Sequence, residues 1–176
     1  QPDKVIAEIT DVATGDVERV SVRHLIACCG GASSIRGDLG IKLEGLPEIG
    51  TPVHIFFRTD ALWDHHEKGR AALHYLMGPQ GRWATMISVN GRDLWSLSVE
   101  IPGRAGTISD DEARGYVDRA LGMSVEYEIR SISYWTRREM VADRYGDGRV
   151  LIAGDCAHLN GPEGGYGMNT GMGDAM

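Results

Sequence analysis

The sequence predicts an α+β fold, and three observations support this prediction. Residues 25–29 and 150–153 are apolar throughout, as strands buried on both faces of an α/β sheet are. Between them, apolar segments separated by turn signals predict a mostly antiparallel sheet. One helix, over residues 110–121, has a start signal and a stop signal. The chain therefore combines pieces of an α/β layer with an antiparallel sheet and its crossover helix.

The chain begins with a predicted β-hairpin. Residues 5–10 and 17–22 alternate in character around a turn that contains Gly15-Asp16. The apolar strand at residues 25–29 ends at two glycines, and Ser33 is placed to open a short helix. Residues 40–50 contain three glycines and a proline, so a loop is predicted there.

The middle of the chain predicts the antiparallel sheet. Its strands are residues 53–57, 71–77, 83–89, 94–101 and 125–134. Asn90-Gly91 between two of these strands is a hairpin signal. Ser109 and Glu112 form a capping box at the start of the helix, and Gly122 ends it.

Composition excludes several classes of protein. The 176 residues carry a net charge of −7, which gives no electrostatic basis for binding nucleic acid or an anionic membrane. No apolar run approaches the ~20 residues of a membrane-spanning helix. Three cysteines without CxxC spacing favour neither a disulfide scaffold nor a zinc site, and the six histidines predict no metal site. We expect a cytoplasmic protein.

The glycines are concentrated near the end of the sequence. Glycine makes up 24 of the 176 residues, about twice the usual ~7%, and nine lie in residues 146–176. Asp155 follows an apolar strand, where a carboxylate can accept hydrogen bonds from the hydroxyls of a ligand. The glycines after it allow close backbone approach, and a helix starting near Asn169 would present free N–H groups. This pattern predicts a cofactor cradle; the alternative is a glycine-rich surface loop.

The order of residues in this segment resembles the C-terminal flavin motif of the FAD-dependent aromatic hydroxylases, the para-hydroxybenzoate hydroxylase-like flavoprotein monooxygenases. That pattern is Gly-Asp-Ala-Ala-His, a Pro-containing stretch, then Gly-Gly-x-Gly-x-Asn-x-Gly-x-x-Asp-Ala. The matches are Gly154, Asp155, Ala157, His158, Pro162, Gly164, Gly165, Gly167, Asn169, Gly171, Asp174 and Ala175. The resemblance implies that Asp155 binds the ribityl chain of FAD and that Gly154, Gly164, Gly165, Gly167, Met168 and Asn169 line the cofactor. It also implies that Pro162 lies at the flavin edge where oxygen reacts.

A second segment resembles the middle motif of the same family, Asp-Gly-x-x-Ser-x-Val-Arg after a buried strand. Gly30, Ser33 and Arg36 fit it, so Gly30 and Arg36 are further candidates for FAD binding. Cys29 stands where the family has Asp, a residue implicated in FAD binding and in the use of the nicotinamide cofactor. Three explanations of Cys29 stay open: a thiol nucleophile, a small buried residue at a strand end, or an altered Asp codon.

The family begins with a strand–GxGxxG–helix unit that the chain does not match. The resemblance therefore implies an internal fragment that is not active by itself. Residues 1–41 and 142–176 would belong to the FAD-binding domain, and residues 42–141 to the substrate-binding sheet. We expect the strands at residues 25–29 and 150–153 to lack a parallel neighbour, and their exposed edges make a homodimer possible.

The resemblance implies a monooxygenase in which NAD(P)H reduces FAD and O₂ forms a flavin C4a-hydroperoxide that hydroxylates a phenolic or polyketide aromatic substrate. A site for such a ring needs aromatic side chains that stack on it and one polar side chain that hydrogen-bonds its hydroxyl. The candidates for contact with substrate are His74, Tyr75, Trp83, Met86 and Trp95. The alternative is that these side chains pack the sheet against its helix. Two alternative functions remain: a flavin oxidoreductase of the same fold with other redox chemistry, and a degenerate, non-catalytic fragment.

Overall fold

The elements of the chain are divided between two compact units. The computed structural model describes residues 3–65, 69–101 and 107–176. The sheet unit runs from Gly50 to Thr136, and the motif unit runs up to Ile49 and continues from Arg137. The compact units divide near residues 50 and 136, where a strand ending at Gly50 pairs with one starting at Arg137. The assignment of residues 1–41 and 142–176 to an FAD-binding domain and of residues 42–141 to a substrate-binding sheet stays a prediction.

In chain order the described strands and helices are β1 (Val5–Thr10), β2 (Val17–Val22), β3 (Leu25–Ala27), α1 (Ser34–Asp38), β4 (Leu43–Gly50), β5 (Val53–Arg58), α2 (Leu62–His65), β6 (Leu73–Gly78), β7 (Gly81–Ser88), β8 (Leu94–Val99), α3 (Asp110–Leu121), β9 (Glu128–Tyr134), β10 (Arg137–Ala142), β11 (Gly146–Asp147), β12 (Val150–Ile152), β13 (His158–Leu159) and α4 (Gly167–Gly173). This mixture confirms the predicted α+β class.

The sheet unit is a five-stranded antiparallel sheet in the order β6-β7-β8-β5-β9. Side chains alternate along each strand, and in β5 and β8 every second residue is buried. One face packs with α3 around Phe57, Trp95 and Leu97, none of which is exposed. The predicted strands and hairpin are confirmed, with ends that differ by up to three residues.

Helix α3 begins and ends where the sequence predicts. Ser109 Oγ accepts from the Glu112 N–H at 3.2 Å, and Glu112 Oε2 accepts from the Ser109 N–H at 2.9 Å. Gly122 ends the helix with φ 65°, a conformation that other residues adopt at a cost. The buried Ala113, Val117 and Leu121 supply the apolar stripe that faces the sheet.

The motif unit is assembled from three small sheets. Strands β1 and β2 form the predicted hairpin. The second sheet has the order β13-β10-β4, and the third has the order β11-β12-β3. The short helix after Ser33 is α1, and the Ser33 hydroxyl accepts from the Arg36 N–H as predicted.

Two expectations about this unit are wrong. Strands β3 and β12 do not lack a parallel neighbour, because they pair with each other in parallel, with Ala27 opposite Ile152. Residues 43–50 are a strand rather than a loop. Gly45 lies in that strand at φ 127°, and an added Cβ would collide with the Glu139 carbonyl oxygen. Glycine is required there by close strand approach, which the sequence pattern does not distinguish from a loop.

Candidate functional site

Asp155 lies at the end of a parallel strand pair. The Ala153 N–H donates to the Ala27 carbonyl at 3.0 Å, after which the chain turns at Gly154, whose φ is 62°. Asp155 follows in a single 3₁₀ turn and is exposed. Among the residues that the structure describes, nothing donates a hydrogen bond to its carboxylate or forms an ion pair with it. The carboxylate is therefore available to accept hydrogen bonds from a ligand.

Arg36 holds the two predicted motif segments together. Its guanidinium donates from Nη1 to the Cys156 carbonyl at 2.9 Å and from Nη2 to the Gly31 carbonyl at 2.8 Å. These bonds place the segment that begins at Gly30 beside the turn that contains Asp155. In the structure Arg36 is a link between segments, and a direct contact with a cofactor stays a prediction.

A buried hydrogen-bond network fixes the same turn from its other side. Asp174 Oδ2 accepts from the Gly154 N–H at 2.7 Å and lies 2.8 Å from His158 Nε2. Because that oxygen is an acceptor, the Nε2–H of His158 donates to it, which leaves Nδ1 to face the Asn160 amide at 3.4 Å. His158 is 2% exposed. Sequence reasoning assigned no role to this pair, although both residues belong to the matched pattern.

The glycine-rich segment is exposed at Gly164 and Gly165, although the Tyr166 ring lies where a Gly164 side chain would be. Gly164 and Gly165 have φ values of 79° and 67°, and helix α4 then begins at Gly167, two residues before the predicted start. Pro162 and Asn169 are exposed, and Met168 is 71% exposed. These residues border the segment without making a described contact with Asp155.

One glycine of α4 packs closely against the turn. A Cβ added at Gly171 would lie 3.2 Å from the Gly154 Cα, so any side chain there would press on the turn that carries Asp155. By contrast, a Cβ at Gly30, Gly154, Gly165 or Gly167 would meet no described atom within 4 Å. The open glycines and the unpartnered carboxylate fit a ligand with hydroxyl groups and a flat ring, as FAD is.

The five predicted substrate contacts do not share one surface. Met86 and Trp95 are 4% and 0% exposed and belong to the apolar core of the sheet unit. The His74 ring packs 5.9 Å from the Trp95 ring on that same side, while Trp83 lies under the Arg119 guanidinium of α3 at 3.9 Å. Tyr75 is on the opposite face and is 57% exposed. The alternative, that these side chains pack the sheet against its helix, describes all of them except Tyr75.

The face of the sheet opposite α3 carries a second group of side chains. Its members alternate with the core residues; on the three central strands they are His54, Phe56, Thr85, Ile87, Ser96 and Ser98. His54 Nε2 is buried and finds no hydrogen-bond partner among the described residues. Burial lowers the pKa of His54, and the nearby Glu100 carboxylate opposes that shift. Alternation along β5 was the signal that could have identified this face.

The described ranges offer neither a metal site nor a membrane-spanning helix. No group of three or more His, Cys, Asp or Glu residues is arranged to hold a metal ion. Among the helices described, none combines the length and apolar character needed to cross a membrane.

Proteins of similar sequence help to identify the ligand of this site. The family model described as "FAD binding domain" matches residues 1–176. A 4-methyl-5-nitrocatechol 5-monooxygenase from Burkholderia sp is 31% identical over 97% of this chain and 33% of its own length. A putative polyketide hydroxylase from Streptomyces halstedii is 30% identical over 99% of this chain and 32% of its own. The chain thus spans about a third of the length of these relatives.

A solved structure shares the fold. The rebeccamycin biosynthetic enzyme RebC with reduced flavin matches with a TM-score of 0.86 and 34% identity, over 99% of this chain and 33% of that one. The match of the family model over the whole sequence, together with these relatives, shows that the chain belongs to the FAD-binding domain family of the FAD-dependent aromatic hydroxylases.

Proposed function

We propose that the protein is an FAD-dependent monooxygenase that hydroxylates a phenolic or polyketide aromatic compound with O₂ and NAD(P)H. The observation that supports it best is the exposed Asp155 carboxylate, which has no partner among the described residues and lies beside open glycine backbone. The relatives named above are a nitrocatechol monooxygenase and a putative polyketide hydroxylase, so an aromatic ring is the substrate class that fits.

On this proposal Asp155 accepts hydrogen bonds from the ribityl hydroxyls of FAD. The backbone of Gly154, Gly164, Gly165 and Gly167, with Met168 and Asn169, borders the ring system, and Pro162 lies at its reactive edge. The Arg36 link holds the second segment, which begins at Gly30, against the turn, and Gly30 and Arg36 complete the cradle. FAD, when bound, supplies the activation of oxygen. The protein contributes binding, orientation and exclusion of water.

We further propose that the substrate lies on the open face of the sheet rather than among the core residues. Phe56 and Tyr75 offer aromatic surface, and the hydroxyls of Thr85, Ser96 and Ser98 on the same face offer polar partners for a phenolic hydroxyl. Met86, Trp83, His74 and Trp95 then act indirectly, by holding the sheet against α3.

The test is a product assay on the full-length protein. The purified protein should show a flavin spectrum, and phenols or polyketide phenols should stimulate NAD(P)H oxidation. With ¹⁸O₂, one labelled oxygen atom should enter the aromatic product. Substrate-independent release of hydrogen peroxide with no hydroxylated product would favour other redox chemistry. Absence of bound flavin would favour a non-catalytic protein.

A flavin oxidoreductase with other chemistry is the second candidate, and Cys29 is the observation that favours it. This cysteine occupies the position at which the family pattern has an Asp implicated in use of the nicotinamide cofactor. Product analysis of wild type separates the two candidates, and Cys29→Asp, which restores the Asp of the family pattern, is the comparison. If the protein is an NAD(P)H-dependent monooxygenase, both forms yield hydroxylated product; if wild type yields none with any phenol, the second candidate is favoured.

A further inference from the structure

Two cysteines that are 127 positions apart in the sequence lie together at the ends of β3 and β12. Cys29 Sγ is 3.9 Å from Cys156 Sγ. Cys29 follows β3 by two residues and Cys156 follows β12 by four, so the parallel pairing of the strands brings them together. Each replaces a different residue of the quoted family pattern, Asp at one position and Ala at the other. The two departures are therefore neighbours in space.

The two thiols differ in access. Cys29 is exposed, whereas Cys156 is 0% exposed. A soluble oxidant therefore meets Cys29 first, and Cys156 reacts with whatever forms on Cys29. This division between an accessible thiol and a protected neighbour is the arrangement of an attacking and a resolving cysteine.

The accessible thiol is also the activated one. Its Sγ lies 2.8 Å from the Ser33 hydroxyl. The hydrogen bond from that hydroxyl lowers the pKa of the Cys29 thiol below its ordinary value. A larger fraction of Cys29 is therefore in the thiolate form, which is the reactive nucleophile. Cys28, the adjacent residue, is exposed as well and serves as an internal control.

We propose that Cys29 and Cys156 are a redox-active pair that hydrogen peroxide oxidises to a disulfide. The Cys29 thiolate attacks one oxygen of the peroxide, the O–O bond breaks, and the departing oxygen takes a proton and leaves as water. The Cys156 thiol then attacks the sulfenic acid sulfur, the S–S bond forms, and a second water leaves. In total, two thiols lose two electrons and two protons, and one peroxide becomes two waters.

The sulfur atoms have only a short distance to move. The contact of 3.9 Å must shorten to the ~2.05 Å of a disulfide. The bond would form next to Asp155, and the Cys156 carbonyl is the group that Arg36 holds. The proposed disulfide does not rest on the proposed function.

The test is a map of the oxidised thiols in the full-length protein. Reduced protein is treated with graded hydrogen peroxide, blocked with iodoacetamide, digested and analysed by tandem mass spectrometry. We expect a Cys29–Cys156 cross-linked peptide that is two hydrogens lighter than the reduced pair and that disappears with dithiothreitol. Cys28→Ser should form the same cross-link, and it removes the ambiguity between adjacent cysteines in one peptide.

A second variant traps the intermediate. In Cys156→Ala, dimedone should label Cys29 as sulfenic acid, because the resolving thiol is missing. If that variant does not fold, wild type and Cys28→Ser decide the question together. The proposal is overturned if Cys156 stays a free thiol while Cys29 proceeds to sulfinic acid, or if Cys28 is the partner in the main cross-link. Neither result depends on whether the protein binds FAD.

Discussion

Among the described residues, the sheet unit buries thirteen apolar side chains in one cluster, including Trp95, Phe57 and Leu97, whereas the motif unit buries six that are no larger than isoleucine. The motif unit compensates with specific polar links. Arg36 joins two segments through carbonyl groups, and Asp174 joins α4 to Gly154 and His158. Its glycines allow backbone approaches that a side chain would block, as at Gly45 and Gly146.

The sheet unit therefore supplies a stable support, whereas the motif unit positions the candidate binding site. A large apolar core tolerates changes on its outer face, so the open face of the sheet can vary in residue type without loss of the fold. A unit held by a few directed hydrogen bonds places one carboxylate and a stretch of bare backbone accurately, but it loses that placement when a single bond is removed. The three stability predictions that follow test this contrast.

The largest effect is expected from the core of the sheet unit. Leu97→Ala should lower the free energy of unfolding by about 2–5 kcal/mol, because it leaves a cavity beneath α3. All four tryptophans of the chain lie within residues 50–136, so their fluorescence in a urea titration follows this unit. Leu73→Ala, at a position 44% exposed, is the matched control. Equal losses for the two variants would refute the assignment of a single buried face.

A smaller effect is expected in the motif unit. Asp174→Ala leaves the Gly154 N–H and His158 Nε2 without an acceptor, at a cost of about 2 kcal/mol. Amide hydrogen exchange at Gly154 should become faster by about thirtyfold, with little change in the tryptophan transition. Asp174→Asn keeps one acceptor oxygen and should show a smaller increase. Unchanged exchange at Gly154 would mean that the polar network does not hold the turn.

The smallest effect is expected at the capping box. Ser109→Ala removes the side-chain acceptor at the start of α3 and should lower the free energy of unfolding by about 1 kcal/mol. Ser109→Thr keeps the acceptor and should lower it less. A loss as large as that of Leu97→Ala would show that the cap, rather than the apolar core, dominates the sheet unit.

Most of the sheet unit could be predicted from the sequence because its strands bury one face each. Burial alternates along β5 and β8, and in β8 the sequence follows it, with Ser96 and Ser98 between the buried Trp95, Leu97 and Val99. The capping box at Ser109 marks the start of α3. Strands β4 and β10 were missed because their pattern is set by pairing with each other rather than by burial. Gly45 illustrates this. In the sequence a glycine indicates a loop, but in β4 glycine is required because the Glu139 carbonyl oxygen of β10 leaves no room for a side chain.

The order of residues in the flavin motif identified Asp155 and the glycines around it. It did not reveal which contacts hold these residues in place. The partnership of His158 with Asp174 and the contact of Cys29 with Cys156 arise from packing between distant segments. Residue type and position on a strand do not fix which face of the sheet a side chain occupies. Met86 and Trp95 are buried on the face opposite Tyr75, so the five substrate candidates do not form one surface.

Flavin retention by Asp155→Ala tests the central claim most directly. The matched control is Asp147→Ala, an exposed carboxylate in the same unit with the same change of charge. Loss of a hydrogen bond between a ribityl hydroxyl and the carboxylate should raise the FAD dissociation constant of the full-length protein by about tenfold to a hundredfold. The control should match wild type. Equal FAD dissociation constants for Asp155→Ala, Asp147→Ala and wild type would contradict the placement of the flavin at this turn.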